Sequence, residues 1–204
     1  VVWWLSLLHP GRVNGLVNLS VPYQVRGDRP WIQWMEEVFG EDYYFVHFNR
    51  QPGVADSVLD QNASRFLRNL FRKNLPAMAP QPGMAMINLA RAESPPGEPL
   101  MNDAELAVFV AAFESSGFTG SINYYRNLDR NWQLLANVDP IVQQPALMIY
   151  GDRDLIPRFE RLSEFVPNVE VTILDCGHWI QQEAPDETNQ IILGWLERHF
   201  AGKV

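Results

Sequence analysis

The chain has 204 residues, 47% hydrophobic, 12% aromatic and 20% charged, which excludes a disordered tail, a collagen-like chain and a small disulfide scaffold. A formal net charge of −8 argues against a nucleic-acid partner, because phosphates select basic surfaces. The single cysteine, Cys176, cannot close an internal disulfide, and no apolar run reaches the roughly 18 residues of a membrane span, so a reducing, cytoplasmic setting is expected.

In chain order, Val1-Val2-Trp3-Trp4-Leu5-Ser6-Leu7-Leu8 reads as an apolar helix ended by Pro10-Gly11. No N-cap residue precedes it, so the chain is expected to begin inside an element. Residues 13–19 suit a buried strand, stopped by Pro22. Trp31, Trp34, Met35 and Val38 recur at helical spacing and predict a helix ending at Gly40. A second helical pattern within residues 55–74 carries Val58, Leu59, Phe66, Leu67 and Leu70. Residues 75–100 are rich in proline and weakly periodic, and read as a long loop. Asn102 or Asp103 caps a helix to about Ser115, with Leu106, Phe109, Val110 and Phe113 apolar, and another helix is expected over residues 121–135.

After Pro145 the texture alternates. Residues 146–150 are continuously apolar, as in a parallel strand buried on both faces. A helix over 156–165, a strand over 169–174 and an amphipathic helix over 185–200, carrying Ile191, Ile192, Trp195 and Leu196, follow. This order predicts an α/β fold with a parallel sheet, interrupted between about residues 23 and 134 by an all-helical insertion.

Two strand ends offer chemistry. Gly151-Asp152-Arg153-Asp154 follows one strand and Asp175-Cys176-Gly177-His178-Trp179 the other, where active sites of open parallel sheets form. The order acid then histidine is that of the α/β-hydrolase arrangement, with the histidine as general base and the aspartate accepting its other ring N–H. The plainer alternatives are an aspartate capping a turn and a structural histidine. No Gly-x-Ser-x-Gly elbow occurs. His9, His47 and His199 show no ligand spacing, so no metal site is expected, and Cys176 reads as a buried, inert thiol.

Longer motifs carry a resemblance. Tyr43-Tyr44-Phe45-Val46-His47-Phe48, followed by Gln51-Pro52-Gly53-Val54-Ala55, and Gly117-Phe118-Thr119-Gly120-Ser121-Ile122-Asn123-Tyr124-Tyr125-Arg126-Asn127 resemble the two lid signatures of the soluble-type epoxide hydrolases of the α/β-hydrolase superfamily. Residues 145–154 are similar to the acid-bearing strand of that family. Asp175 to Trp179, with Asn189-Gln190-Ile191, are similar to its histidine loop and last helix. Residues 3–10 and 13–23 resemble the helix and strand after its nucleophile. The segment Phe48-Asn49-Arg50-Gln51-Pro52-Gly53 is one residue longer than the family pattern.

The resemblance implies the last three strands of an α/β-hydrolase sheet: residues 1–22 as core helix and strand, 23–134 as helical lid, 135–204 as C-terminal core. The nucleophilic aspartate, in a His-Asp-Trp-Gly-like elbow, and the His-Gly-x-Pro segment of the oxyanion hole are expected upstream of Val1. The chain is therefore expected to be the C-terminal two-thirds of an enzyme and inactive by itself. By position, Tyr44 and Tyr125 would protonate the epoxide oxygen, and Asp154 would orient His178 as the base. Trp179 and Phe48 would line the pocket, and Asp152 would be a turn residue. Tyr43 and Tyr124 are weaker candidates, since one helical step turns a side chain by about 100°. The implied reaction takes an apolar epoxide and water to a vicinal diol through an aspartyl ester, with no cofactor. The alternatives are a haloalkane or haloacid dehalogenase, which needs halide-binding donors such as an indole N–H, and a non-catalytic fragment. Neither a monomer nor a homodimer is singled out.

Overall fold

The computed structural model describes residues 1–73, 86–95 and 97–202. Helix α1 (Val2–Leu8) leads through a 3-10 turn to strand β1 (Leu16–Leu19). Helices α2 (Trp31–Phe39), α3 (Tyr44–Arg50), α4 (Val54–Asp60) and α5 (Ala63–Leu70) follow. Next come β2 (Arg72–Lys73), α6 (Ile87–Arg91), β3 (Glu98–Pro99), α7 (Asp103–Ser116), α8 (Thr119–Arg126) and α9 (Leu128–Leu134). The chain continues with β4 (Ala146–Gly151), α10 (Leu162–Phe165), β5 (Val169–Leu174), α11 (Ile180–Glu183) and α12 (Pro185–Phe200). These elements form two compact units: Val1–Arg26 with Asn137–Val204, and Gly27–Ala136.

The first unit is built on a parallel sheet of order β1-β4-β5, with Ala146 opposite both Leu16 and Val169. Every residue of central β4 is buried, which is why its sequence is continuously apolar. Its side chains alternate between two cores. Ala146, Met148 and Tyr150 pack with Trp3, Tyr23 and Leu162 on one face, whereas Leu147 and Ile149 pack with Ile180 and Trp195 on the other. Helices therefore flank both faces, an α/β architecture. The Tyr23 hydroxyl donates to the Pro140 carbonyl at 2.8 Å, joining the two chain segments of this unit.

Here the structure trims two predictions. Strand β1 starts at Leu16, not Val13, because Pro10–Arg12 coils into the 3-10 turn and Val13 N–H bonds back to Pro10 O. The helix expected over 156–165 forms only at Leu162–Phe165. Ile156 N–H is taken by the Asp154 carboxylate, and Pro157 disfavours helical backbone at the residue before it. Helix α11 carries no sequence signal and was not expected.

The second unit is mainly helical. Asn102 caps α7 by accepting from Ala104 and Glu105 N–H, while the Glu105 carboxylate accepts Asn102 N–H at 2.8 Å, a reciprocal capping box. The helical patterns at 55–74 and 121–135 each divide in two, at Gln61-Asn62 and at Asn127. Helix α2 buries Ile32 and Met35 and leaves Val38 exposed, so its inner face is rotated from the predicted one. The insertion is not all helical: β2 and β3 pair antiparallel, Arg72 opposite Pro99 and Lys73 opposite Glu98. Of the predicted loop at 75–100, residues 75–85 and 96 lie outside the described residues, and α6 and β3 occupy part of the rest. No helix among the described residues is long and apolar enough to cross a membrane.

Candidate active site

The end of β4 and the loop after β5 bring Asp154 and His178 together. His178 Nδ1 lies 2.9 Å from Asp154 Oδ1, with the aspartate side chain 2% exposed and the histidine 28%. Burial alone would push the Asp154 pKa up. Hydrogen bonds from His178 and from Ile156 N–H (2.9 Å) outweigh it and hold the carboxyl below its ordinary value. A carboxylate only accepts, so Nδ1 carries the proton and Nε2 is left as an acceptor, the tautomer a general base requires.

A close backbone approach sets this arrangement. A Cβ on Gly151 would fall 2.2 Å from Gly177 O and 2.6 Å from Cys176 O, so only glycine lets the β4 end lie under the histidine loop. Arg153 N–H then donates to Cys176 O at 3.1 Å. Trp179 packs edge-on against the His178 ring, centroids 5.0 Å apart. Cys176 is buried, and that burial, with the Glu183 charge adding, pushes its thiol up to about 11. Asp152 lies 3.7 Å from Arg153, which also pairs with Asp175. Ser20 and Glu183, which sequence reasoning did not single out, bond the main chain of the histidine loop, Ser20 at the His178 carbonyl and Glu183 at the N–H groups of Gly177 and Trp179.

In the helical unit a second constellation forms. Tyr44 on α3 and Tyr125 on α8 meet edge to face, ring centroids 5.6 Å apart, with Phe48 packed against both at 5.9 and 5.4 Å. Burial raises both phenol pKa values, so both stay protonated at neutral pH. Tyr43 is buried in the neighbouring aromatic packing and Tyr124 is 62% exposed. Tyr125 is held by its neighbour Arg126, whose Nε donates to Phe48 O at 3.0 Å and whose Nη1 donates to Asp56 at 2.9 Å. Asn49 Nδ2 ties the same two helices by donating to Phe45 O and Tyr125 O. His47 is buried in this unit, and His199, in the first unit, bonds Glu170 at 2.7 Å. Among the described residues no three His, Cys, Asp or Glu side chains gather as a metal site.

The chain as a whole is similar to known proteins. Epoxide hydrolase B of Mycobacterium tuberculosis is 30% identical over 248 residues, covering 96% of this chain and 68% of that protein. The chain belongs to the epoxide hydrolase family. Epoxide hydrolase A of the same organism is 34% identical over 209 residues, covering 96% of this chain and 65% of that protein. Among solved structures, epoxide hydrolase A from Mycobacterium thermoresistibile superposes with a TM-score of 0.79 at 34% identity, covering 96% of this chain and 65% of that one. Potato (Solanum tuberosum) epoxide hydrolase I gives 0.76 at 29% identity, covering 96% and 66%. The fold is accordingly a partial α/β-hydrolase fold. No family model matches the chain. The chain spans 65% of the length of epoxide hydrolase A and 37% of that of the rat (Rattus norvegicus) bifunctional epoxide hydrolase 2.

Proposed function

We propose that this chain supplies the general base and the proton donors of an enzyme that hydrolyses an apolar epoxide to a vicinal diol. The observation that carries the reading is the pairing of Tyr44 with Tyr125, two half-buried phenols 5.6 Å apart. An epoxide oxygen becomes an alkoxide as its ring opens and needs a proton; a departing halide needs none, so paired phenols favour the epoxide over a haloalkane. The helical unit takes the part of the family's lid, with Phe48 and Trp179 as apolar lining. The nucleophilic aspartate is assigned to sequence outside these 204 residues, and the chain alone is expected to give no turnover. A cytoplasmic setting goes with this reading.

In the first step the nucleophilic carboxylate attacks an epoxide carbon, the ring C–O bond breaks, and the oxygen takes a proton from Tyr44 or Tyr125, leaving a hydroxyalkyl ester. In the second, His178 Nε2 takes a proton from water as the water oxygen attacks the ester carbonyl. The ester C–O bond to the alkyl group's oxygen then breaks. That oxygen takes the proton from His178, and the proton of the new carboxylic acid returns to the phenolate. Asp154 holds Nδ1–H throughout and stabilises the imidazolium. No step calls for a cofactor.

The test is a trapped intermediate. In the full-length protein His178→Gln should leave the ester in place, so a styrene-oxide-like probe adds its own mass to the protein. Unmodified protein after prolonged incubation removes the two-step reading.

A further inference from the structure

The main chain around His178 is held at three points by two side chains from outside the loop. The Glu183 carboxylate, at the end of α11, accepts Gly177 N–H at Oε2 (2.8 Å) and Trp179 N–H at Oε1 (3.1 Å), bracketing the histidine from both sides. Glu183 N–H in turn donates to Trp179 O at 2.9 Å, closing a ring that fixes where the carboxylate starts from. Gly177 leaves space for it, since a Cβ there would lie 2.9 Å from Glu183 Oε1. The third tether is Ser20 Oγ, which donates to the His178 carbonyl at 2.6 Å.

Ser20 makes that contact from an uncommon backbone. Its φ is +61°, in the left-handed region, and it is 4% exposed just past the end of β1. Ser20 N–H donates to Ile149 O at 3.0 Å, so the sheet itself holds the residue there. A buried non-glycine residue in this region costs free energy, and such strain collects where surrounding structure over-determines a functional site. Glu183 touches neither side chain of the Asp154–His178 pair, whereas the Ser20 hydroxyl also hydrogen-bonds the Asp154 carboxylate.

We propose that Glu183 and Ser20 are positioning residues for His178, fixing the peptide groups that carry the imidazole so that Nε2 keeps its place while Nδ1 stays on Asp154. This rests on the reading of His178 as the base. Hydrogen bonds to a charged acceptor are the strong ones, and two from one carboxylate set direction as well as distance. A catalytic group displaced by about 1 Å loses on the order of 100-fold in rate. The clamp acts on the step that uses His178, ester hydrolysis. Ring opening, which draws its proton from the phenols, is independent of it.

The experiment is single-turnover and steady-state kinetics of the full-length protein with a styrene-oxide-like epoxide. Glu183→Ala should slow ester hydrolysis by about 10- to 100-fold while ester formation stays within about twofold. The ester then accumulates, and kcat and KM fall together with kcat/KM preserved. Ser20→Gly removes the hydroxyl, relaxes the backbone, and should slow the same step. Unchanged hydrolysis in both variants, or a parallel loss in both steps, overturns the proposal. If Glu183→Ala does not fold, Glu183→Gln, which keeps one accepting oxygen and loses the other, carries the same test. Should the wild-type protein form no ester, the functional reading fails, yet the clamp is still measurable through solvent exchange of the His178 Nδ1 proton by NMR. Faster exchange in Glu183→Ala supports the clamp, and unchanged exchange overturns it.

Discussion

Arg126 meets Asp56 through both terminal guanidinium nitrogens, and the same arginine holds the Phe48 carbonyl through Nε at 3.0 Å. Gly53 N–H and the Thr119 hydroxyl complete the shell of the aspartate. The pair thus ties the start of α4 to both tyrosine-bearing helices, α3 and α8. Hydrogen bonding from Arg126 is the largest influence on Asp56, whose pKa falls from 3.8 to about 2. A depressed carboxyl contributes stability that is fully present above its unfolded pKa and lost as pH falls through its folded one. Unfolding of the protein should therefore show about 2 kcal/mol of stability lost between about pH 4 and pH 2, and Asp56→Asn should abolish that portion of the pH dependence. Arg126→Met should cost about 3 kcal/mol by chemical denaturation, because it strands a buried carboxylate.

The two phenols give a separate handle. Tyr125→Phe and Tyr44→Phe keep the rings that pack with Phe48 and remove only the donors, so the fold should be unaffected. In the full-length protein each substitution should slow ester formation by roughly 10- to 100-fold, and both together by more than either alone. Rapid-quench measurement of ester formation decides the matter. An unchanged rate in the double variant would remove the acid role.

How much of this was legible depended on whether a feature is written in local pattern. Strand β4 stood out because a strand buried on both faces must be apolar throughout, and α7 because a capping residue at 102 or 103 precedes Leu106, Phe109, Val110 and Phe113 at helical spacing. The meeting of Asp154 and His178 followed from each lying just past a parallel strand. Helix α11 was missed because four residues hold barely one helical period. Ser20 and Glu183 were missed because they act on main-chain groups, which leaves no residue-type signature. The Asp56–Arg126 pair spans 70 positions, beyond any local period.

Gly151 is a point where backbone geometry and the site coincide. Any Cβ there meets main-chain oxygens of residues 176 and 177, which no side-chain rotation relieves. Gly151→Ala should therefore cost about 1–3 kcal/mol by thermal unfolding, the usual range for forced overpacking. It should also slow ester hydrolysis, since the oxygens it displaces belong to the two residues just before His178. Gly120→Ala is the control: nothing lies within 4 Å of a Cβ at that position. A Gly151→Ala protein as stable as the Gly120→Ala control would show that the strand end and the histidine loop separate without cost.

Asp154→Asn tests the tautomer argument most directly. The side-chain volume barely changes, but the acceptor that holds the Nδ1 proton becomes a neutral amide that can turn its NH2 to the ring at the cost of the Ile156 N–H bond. With that NH2 facing Nδ1, the imidazole proton moves to Nε2, where it would meet water as a donor and not as a base. The lost negative charge also leaves the imidazolium unstabilised. Ester hydrolysis should fall on the order of 100-fold or more while ester formation is retained, so the ester accumulates as in His178→Gln. An Asp154→Asn protein whose ester turns over at the wild-type rate would show that the 2.9 Å contact with His178 is structural only.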